Sequence, residues 1–256
     1  MIDYDKLEED GFCIVKGVLS QARAVEIKEK LWVAAAESER RGSPTYIPGL
    51  DPNDANVRVF NLLDLDPVFV DLIQSSMAIE AVRATLGEDF LISNFTANIA
   101  RPGAKSMVPH SDLAVVFPGP WLHRWSLNVI WCLDDVHEAN GATRYLPGSH
   151  RLRSQAEVPD DLQQLMRPFL ARAGDVILME GRLWHTSGEN TTENEDRALL
   201  FGYYTAPFLR PQVNWNVLLS DQTKNTLSAH MTGWLGLGAA ANIVNADFIA
   251  RPADPG

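Results

Sequence analysis

With 256 residues, 46% of them hydrophobic, the chain can bury a core large enough for a single domain over residues 1–256. Its 33 acidic against 22 basic side chains give a formal net charge of −11, which argues against nucleic acid or an anionic membrane surface as a partner. Cys13 and Cys132 lie far apart and outside any paired-cysteine motif, the N-terminus lacks a signal-peptide pattern, and no apolar stretch approaches membrane-spanning length; a cytoplasmic protein without structural disulfides is expected.

In chain order, residues 11–15 read as a short buried strand. Residues 20–41 read as a helix with Ser20 as N-cap, Val25, Leu31, Trp32 and Ala35 as its apolar stripe, and Glu37 and Arg41 as an i,i+4 pair. Pro44, Pro48, Gly49 and Pro52 make residues 42–56 a loop, and a second helix is expected over 67–86, closed by Gly87. Residues 1–89 are thus mostly helical. From Phe90 onward, short apolar runs separated by Gly, Pro and Asn predict a β core over residues 90–210. Within it, residues 91–99 place Leu91, Phe95, Ala97 and Ile99 on one face and Asn94, Thr96 and Asn98 on the other; the polar face either meets water or lines a site. A strand at 126–133 carries Trp131, and the Asn140-Gly141 turn follows it. Gly174-Asp175 opens a buried strand that ends shortly before His185, and Arg197 opens another apolar run. Residues 211–256 form a helical tail, with its main helix over 218–237 and Ser220 as a cap.

The residues that carry chemistry are His110-Ser111-Asp112 and the distant His185. Residues i and i+2 of a strand project to the same side, so His110 and Asp112 can reach one ion, while the third ligand must come from another strand. Two imidazoles and one carboxylate form the set that binds non-haem Fe(II) on one face and leaves positions open. Arg197 is a charge in an apolar run. A buried arginine is costly without a partner, and one reading is a salt bridge with Glu195, Asp196 or another acid.

Trp131-Cys132-Leu133-Asp134-Asp135, the Asn140-Gly141 turn, Pro147-Gly148-Ser149-His150, Gly174-Asp175, and His185-Thr186-Ser187-Gly188-Glu189-Asn190 ahead of Arg197 together resemble the phytanoyl-CoA dioxygenase family in kind and order. The likeness runs from Asp10-Gly11-Phe12 to Asn214-Trp215. It implies a mainly β fold with flanking helices, the double-stranded β-helix (jelly roll, cupin-like), and an enzyme using Fe(II), 2-oxoglutarate and O2. By that resemblance His110, Asp112 and His185 hold the iron, and Arg197 pairs with the distal carboxylate of 2-oxoglutarate. The hydroxyls of Thr143 and Ser187 assist it, and Trp131 and Asn98 line the cosubstrate pocket, Trp131 having ordinary core packing as its other reading. Related halogenases carry a small residue where this chain keeps Asp112, so the resemblance implies hydroxylation; desaturation, epoxidation and ring rearrangement stay open. A cupin-like metal protein without 2-oxoglutarate would leave Arg197 unexplained. The substrate is expected to be a small, largely apolar molecule, contacted by Phe117, Trp121 and His123 of an aromatic segment overhanging the metal, together with Met107 and Trp215. The oligomeric state is open, a homodimer being the form considered.

Overall fold

The computed structural model describes residues 1–239 of the chain. In order, its helices and strands are α1 (Tyr4–Asp10), β1 (Phe12–Val15), α2 (Gln21–Arg40), β2 (Asn56–Val59), α3 (Pro67–Ile73), α4 (Ser76–Leu86), β3 (Leu91–Ala100), β4 (Ser126–Cys132), β5 (Arg144–Tyr145), α5 (Leu162–Leu165), β6 (Arg167–Pro168), β7 (Val176–Glu180), β8 (His185–Thr186), β9 (Arg197–Thr205), α6 (Trp215–Leu218), α7 (Asp221–Lys224) and α8 (Ala229–Trp234). Six strands make one antiparallel sheet in the order β1-β7-β4-β9-β3-β2, and β6-β5-β8 make a smaller one.

Alternation along the strands sorts side chains into two cores. Phe95, Ala97 and Ile99 of β3, Leu127, Val129 and Trp131 of β4, and Val176 and Leu178 of β7 pack with Ile27 and Leu31 of α2, Phe69 and Ile73 of α3, and Ile79 and Val82 of α4. Residues of opposite parity, Ile130, Cys132, Ile177, Met179 and Leu199, join Phe12 and Phe169, and Tyr145 of the smaller sheet stacks on Phe169 with centroids 4.5 Å apart. Each fully buried large apolar side chain contributes about 1.5–3 kcal/mol. Two sheets closed face to face, with helices on the outer side of the larger one, form the jelly roll of the cupin-like class. Between β4 and β7, Gly174 adopts φ +91° where a Cβ would collide with the Leu19 carbonyl. Asp175 beside it accepts from the Gly17 and Arg172 amides, so this Gly-Asp pair pins the start of β7 to the chain after β1.

Several expectations meet corrections. Ser20 caps α2 and Glu37 meets Arg41 at 2.7 Å as expected, but Val25 is 54% exposed; the stripe that faces the sheet is Ala24, Ile27, Leu31, Ala34 and Ala35. Residues 67–86 form two helices, because Ser75 takes an extended backbone between them (φ −57°, ψ 145°) and lets both turn apolar faces inward. The tail forms α6, α7 and α8, each opened by its own side-chain cap from Asn214, Ser220 or Ser228; residues 240–256 lie outside the described part. Strand β2 arises in a stretch read without a strand, Val57 and Val59 being buried on either side of Arg58. No helix among the described residues is long and apolar enough to cross a membrane.

Candidate metal centre and its cavity

The polar face of β3 lines a cavity of about 560 Å³, shared with the inner faces of β4 and β9 and with the segment around His110. His110 and His185 face each other through reciprocal backbone hydrogen bonds, His110 N to His185 O at 2.9 Å and His185 N to His110 O at 2.8 Å. Their ring centroids are 4.5 Å apart. Asp112 completes a cluster whose three donor atoms lie within 4.8 Å of one another: His110 Nε2 is 3.8 Å from Asp112 Oδ1, and His185 Nε2 is 3.9 Å from Asp112 Oδ2. Each imidazole Nδ1 lies 3.0 Å from a backbone carbonyl, that of Val108 for His110 and of Leu183 for His185. With Nδ1–H donating there, each Nε2 keeps its lone pair for a metal. Burial lowers the His185 pKa, with the Asp112 charge opposing, which favours the neutral, ligating imidazole.

Asp112 is not on a strand. Of residues 110–112 only His110 is paired, with His185 as an isolated bridge, and Asp112 begins a 3-10 turn over Asp112–Val115. The turn is fastened from below by one atom, the Gly181 carbonyl, which accepts from Ser111 Oγ and from Leu113 N, both at 2.9 Å. From above, Asn128 Nδ2 donates to Asp112 Oδ2 and the Tyr203 hydroxyl donates to the Asp112 carbonyl at 3.4 Å. Asn128 and Tyr203 are direct cross-strand partners. Neither was singled out in the sequence, although an amide alone in the apolar run of β4 is the same kind of signal as Arg197.

Arg197 is fully buried and makes no salt bridge among the described residues. Its Nε donates to Gly141 O at 3.0 Å and its Nη1 to Asn98 O at 3.2 Å, while Nη2 is buried with no partner. Burial brings its pKa down to about 10, so it stays charged at neutral pH. The alternative reading, a salt bridge with Glu195, Asp196 or another acid, is absent among the described residues; Glu195 instead sits 2.9 Å from His137. A buried guanidinium held only by carbonyl dipoles, with one arm unused, is costly unless an anion completes it.

Thr143, Ser187, Asn98 and Met107 all line the cavity with the triad and Arg197; Ser187 Oγ already accepts from Met107 N at 3.1 Å. The other named positions lie elsewhere. Trp131 faces the helices, edge-on to Phe95 at 5.5 Å, because three residues along a strand from Asn128 is the opposite face. Trp215 is in the same outer core and donates to Ile92 O at 2.7 Å. Trp121 turns into a small core with Leu113, Leu146 and Trp184, its indole N–H held by Val116 O at 2.8 Å. Phe117 is 85% exposed, and His123 is exposed beside Trp125; neither lines the cavity. From the segment 113–125, Ala114 and Val115 reach it instead.

Two imidazoles and a carboxylate beside a buried cation are what metal-dependent oxidation with a carboxylate cosubstrate requires, and fold and site together fit a cupin-like oxygenase. The chain belongs to the phytanoyl-CoA dioxygenase family of Fe(II)/2-oxoglutarate-dependent oxygenases, whose model, Phytanoyl-CoA dioxygenase (PhyH), matches residues 7–198. It is 48% identical over 242 residues to dioxygenase af480 of Aspergillus fumigatus, covering 94% of this chain and 78% of that relative. Its fold is similar to that of HygX from Streptomyces hygroscopicus, solved with nickel and 2-oxoglutarate, at a TM-score of 0.66 and 17% identity over 82% of this chain and 90% of the other. It is also similar to EctD from S. alaskensis, solved with Fe, at a TM-score of 0.65 and 21% identity over 82% of this chain and 80% of the other. The protein is an oxidoreductase of the dioxygenase class.

Proposed function

We propose that the protein, acting as one oxygenase domain, hydroxylates an unactivated C–H bond of a small, largely apolar metabolite. The observation that carries the reading is the unpartnered Nη2 of buried Arg197 in the cavity that also holds His110, Asp112 and His185. The donor set fits Fe(II), and the guanidinium fits the distal carboxylate of 2-oxoglutarate. Iron and 2-oxoglutarate supply the oxidising chemistry, in which O2 is consumed, 2-oxoglutarate becomes succinate and CO2, and one oxygen atom goes to the substrate carbon.

The chain's own residues bind, orient and exclude water. His110, Asp112 and His185 hold the metal; the Val108 and Leu183 carbonyls fix both imidazoles as Nε2 donors. Asn128 occupies Asp112 Oδ2 and so restrains the carboxylate's rotation. Arg197 anchors the far end of the cosubstrate with Thr143 and Ser187 beside it, and Phe201, Leu50 and Val115 contribute apolar surface to the cavity lining. Anaerobic addition of 2-oxoglutarate to the Fe(II)-loaded protein should produce a visible charge-transfer band that is lost in Arg197→Ala and His185→Ala. Absence of the band in loaded wild-type protein refutes the assignment. Succinate release with trial metabolites, matched to hydroxylated product by mass, then tests hydroxylation.

A further inference from the structure

Besides Arg197 and the candidate ligands, the cavity lining holds one further charged side chain, Arg58 of β2, which lies opposite Asn98 of β3. It is already neutralised: Nε and Nη2 reach Asp51 Oδ1 at 3.0 and 2.9 Å, and the Asp51 side chain is almost wholly buried, with its second oxygen on Ile47 N. When iron and 2-oxoglutarate are bound, the charges of Asp112, the divalent metal, the dicarboxylate and Arg197 cancel as well. No net charge is then left in the cavity to meet an ionic substrate.

The polar groups that remain are amides. Asn94 Nδ2 donates to Gln212 Oε1 at 3.1 Å, and Gln212 is anchored by its backbone N–H on Ser93 Oγ at 2.9 Å. This contact uses one donor and one acceptor of the pair. Asn94 Oδ1, buried, has no partner, and Gln212 keeps a free N–H. Exchanging O and N in both amides still leaves one unpaired oxygen beside unpaired N–H groups, so the site offers an acceptor and donors together. A hydroxyl matches it by donating once and accepting once, whereas a carboxylate only accepts and an ammonium only donates. A buried acceptor left empty is costly, and a bound hydroxyl relieves it.

We infer that the cavity takes an uncharged substrate bearing a hydroxyl, which Asn94 and Gln212 read, and that Asp51 enforces neutrality by cancelling Arg58. The inference rests on the oxygenase reading of the same site and adds the substrate's chemical class and the residues that select it.

Three probes of one shape and different charge test it: 1-adamantanol, 1-adamantanecarboxylate and 1-adamantylammonium, titrated calorimetrically into the Ni(II)- and 2-oxoglutarate-loaded protein. The alcohol should bind at least about tenfold more tightly than either ion. Gln212→Leu, a change at an exposed position, should weaken the alcohol about tenfold. Asp51→Asn, which leaves Arg58 uncompensated, should raise carboxylate affinity about tenfold. Binding of either ion as tight as the alcohol, alcohol affinity unchanged in Gln212→Leu, or binding of none of the three overturns the inference. Binding of 2-oxoglutarate is measured before the probes are added, and its absence strikes the cofactor assignment rather than the substrate class.

Discussion

His150 closes the Pro-Gly-Ser-His run, yet it is no ligand, and its physics gives a pH-dependent stability. It is 2% exposed, neither ring nitrogen has a partner, and the ring lies against the Cα of Gly11, where an added Cβ would come within 2.6 Å. Burial holds its pKa down at about 4, with Arg151, Arg182 and Arg124 pushing the same way and Asp10 opposing. An unfolded-chain histidine titrates near 6.5. The folded pKa being the lower one, the unfolded state takes the proton first as pH falls, so this contribution is complete above about pH 6.5 and is lost between there and about pH 4. Linkage across that interval gives about 1.4 kcal/mol lost at pH 5.5 and about 2.5 kcal/mol at pH 4.5 as upper values, roughly halved if water reaches the charged ring. Urea unfolding of metal-free wild-type and His150→Leu protein at pH 7.5 and pH 4.5 measures it, because titration of the other groups is common to both. Wild type should lose about 1–2.5 kcal/mol more than the variant on acidification. Equal losses would refute the reasoning, since the ring would then have to be solvated or hydrogen-bonded.

Arg197→Gln should weaken 2-oxoglutarate binding to the Ni(II)-loaded protein by about a hundredfold or more, since a charge-assisted pair is replaced by a neutral one; calorimetry reads this, and an unchanged affinity would remove Arg197 from the cosubstrate site. Ser149→Ala should cost about 1–3 kcal/mol and lower Tm by several degrees, because Ser149 Oγ accepts from the buried backbone amide of Trp184 at 2.8 Å and donates to Leu146 O at 2.7 Å. Thermal unfolding with no shift would show that water replaces the hydroxyl. Trp131→Ala should destabilise by about 3–5 kcal/mol while leaving 2-oxoglutarate affinity within about threefold, the opposite of what a cavity-lining tryptophan would do. Asn128→Leu should weaken Ni(II) binding by about tenfold with the fold intact, because outer-shell partners typically contribute that much; undiminished nickel affinity would show that Asp112 needs no such restraint.

Much of the site was legible because buried charge is rare enough to be conspicuous. Arg197 is a charge in an apolar run and the amides of β3 mark a face that meets water or lines a site; the cavity decides for the site, and Asn128 in the apolar run of β4 is a signal of the same kind. The wrong positions share another cause. Trp131 was placed by likeness, whereas strand parity relative to Asn128 puts it on the other face. Residues 113–125 have no periodicity to fix which side chains point inward, and its aromatics proved to pack on one another or face water while Ala114 and Val115 reach the cavity. The helices at 67–86 and in the tail were merged because apolar spacing continues across a break that only backbone conformation at Ser75, or capping by Ser220 and Ser228, reveals.

The Gly181 carbonyl that receives both Ser111 Oγ and Leu113 N has a consequence for the carboxylate between them. It clamps the residues on either side of Asp112, so whatever follows Val116 hangs from a fixed root. The side chains of residues 117–125 stay outside the cavity lining, so the carboxylate is held by the turn itself and not by what those residues contact. The architecture separates a fixed socket for the carboxylate from the chain that leaves it.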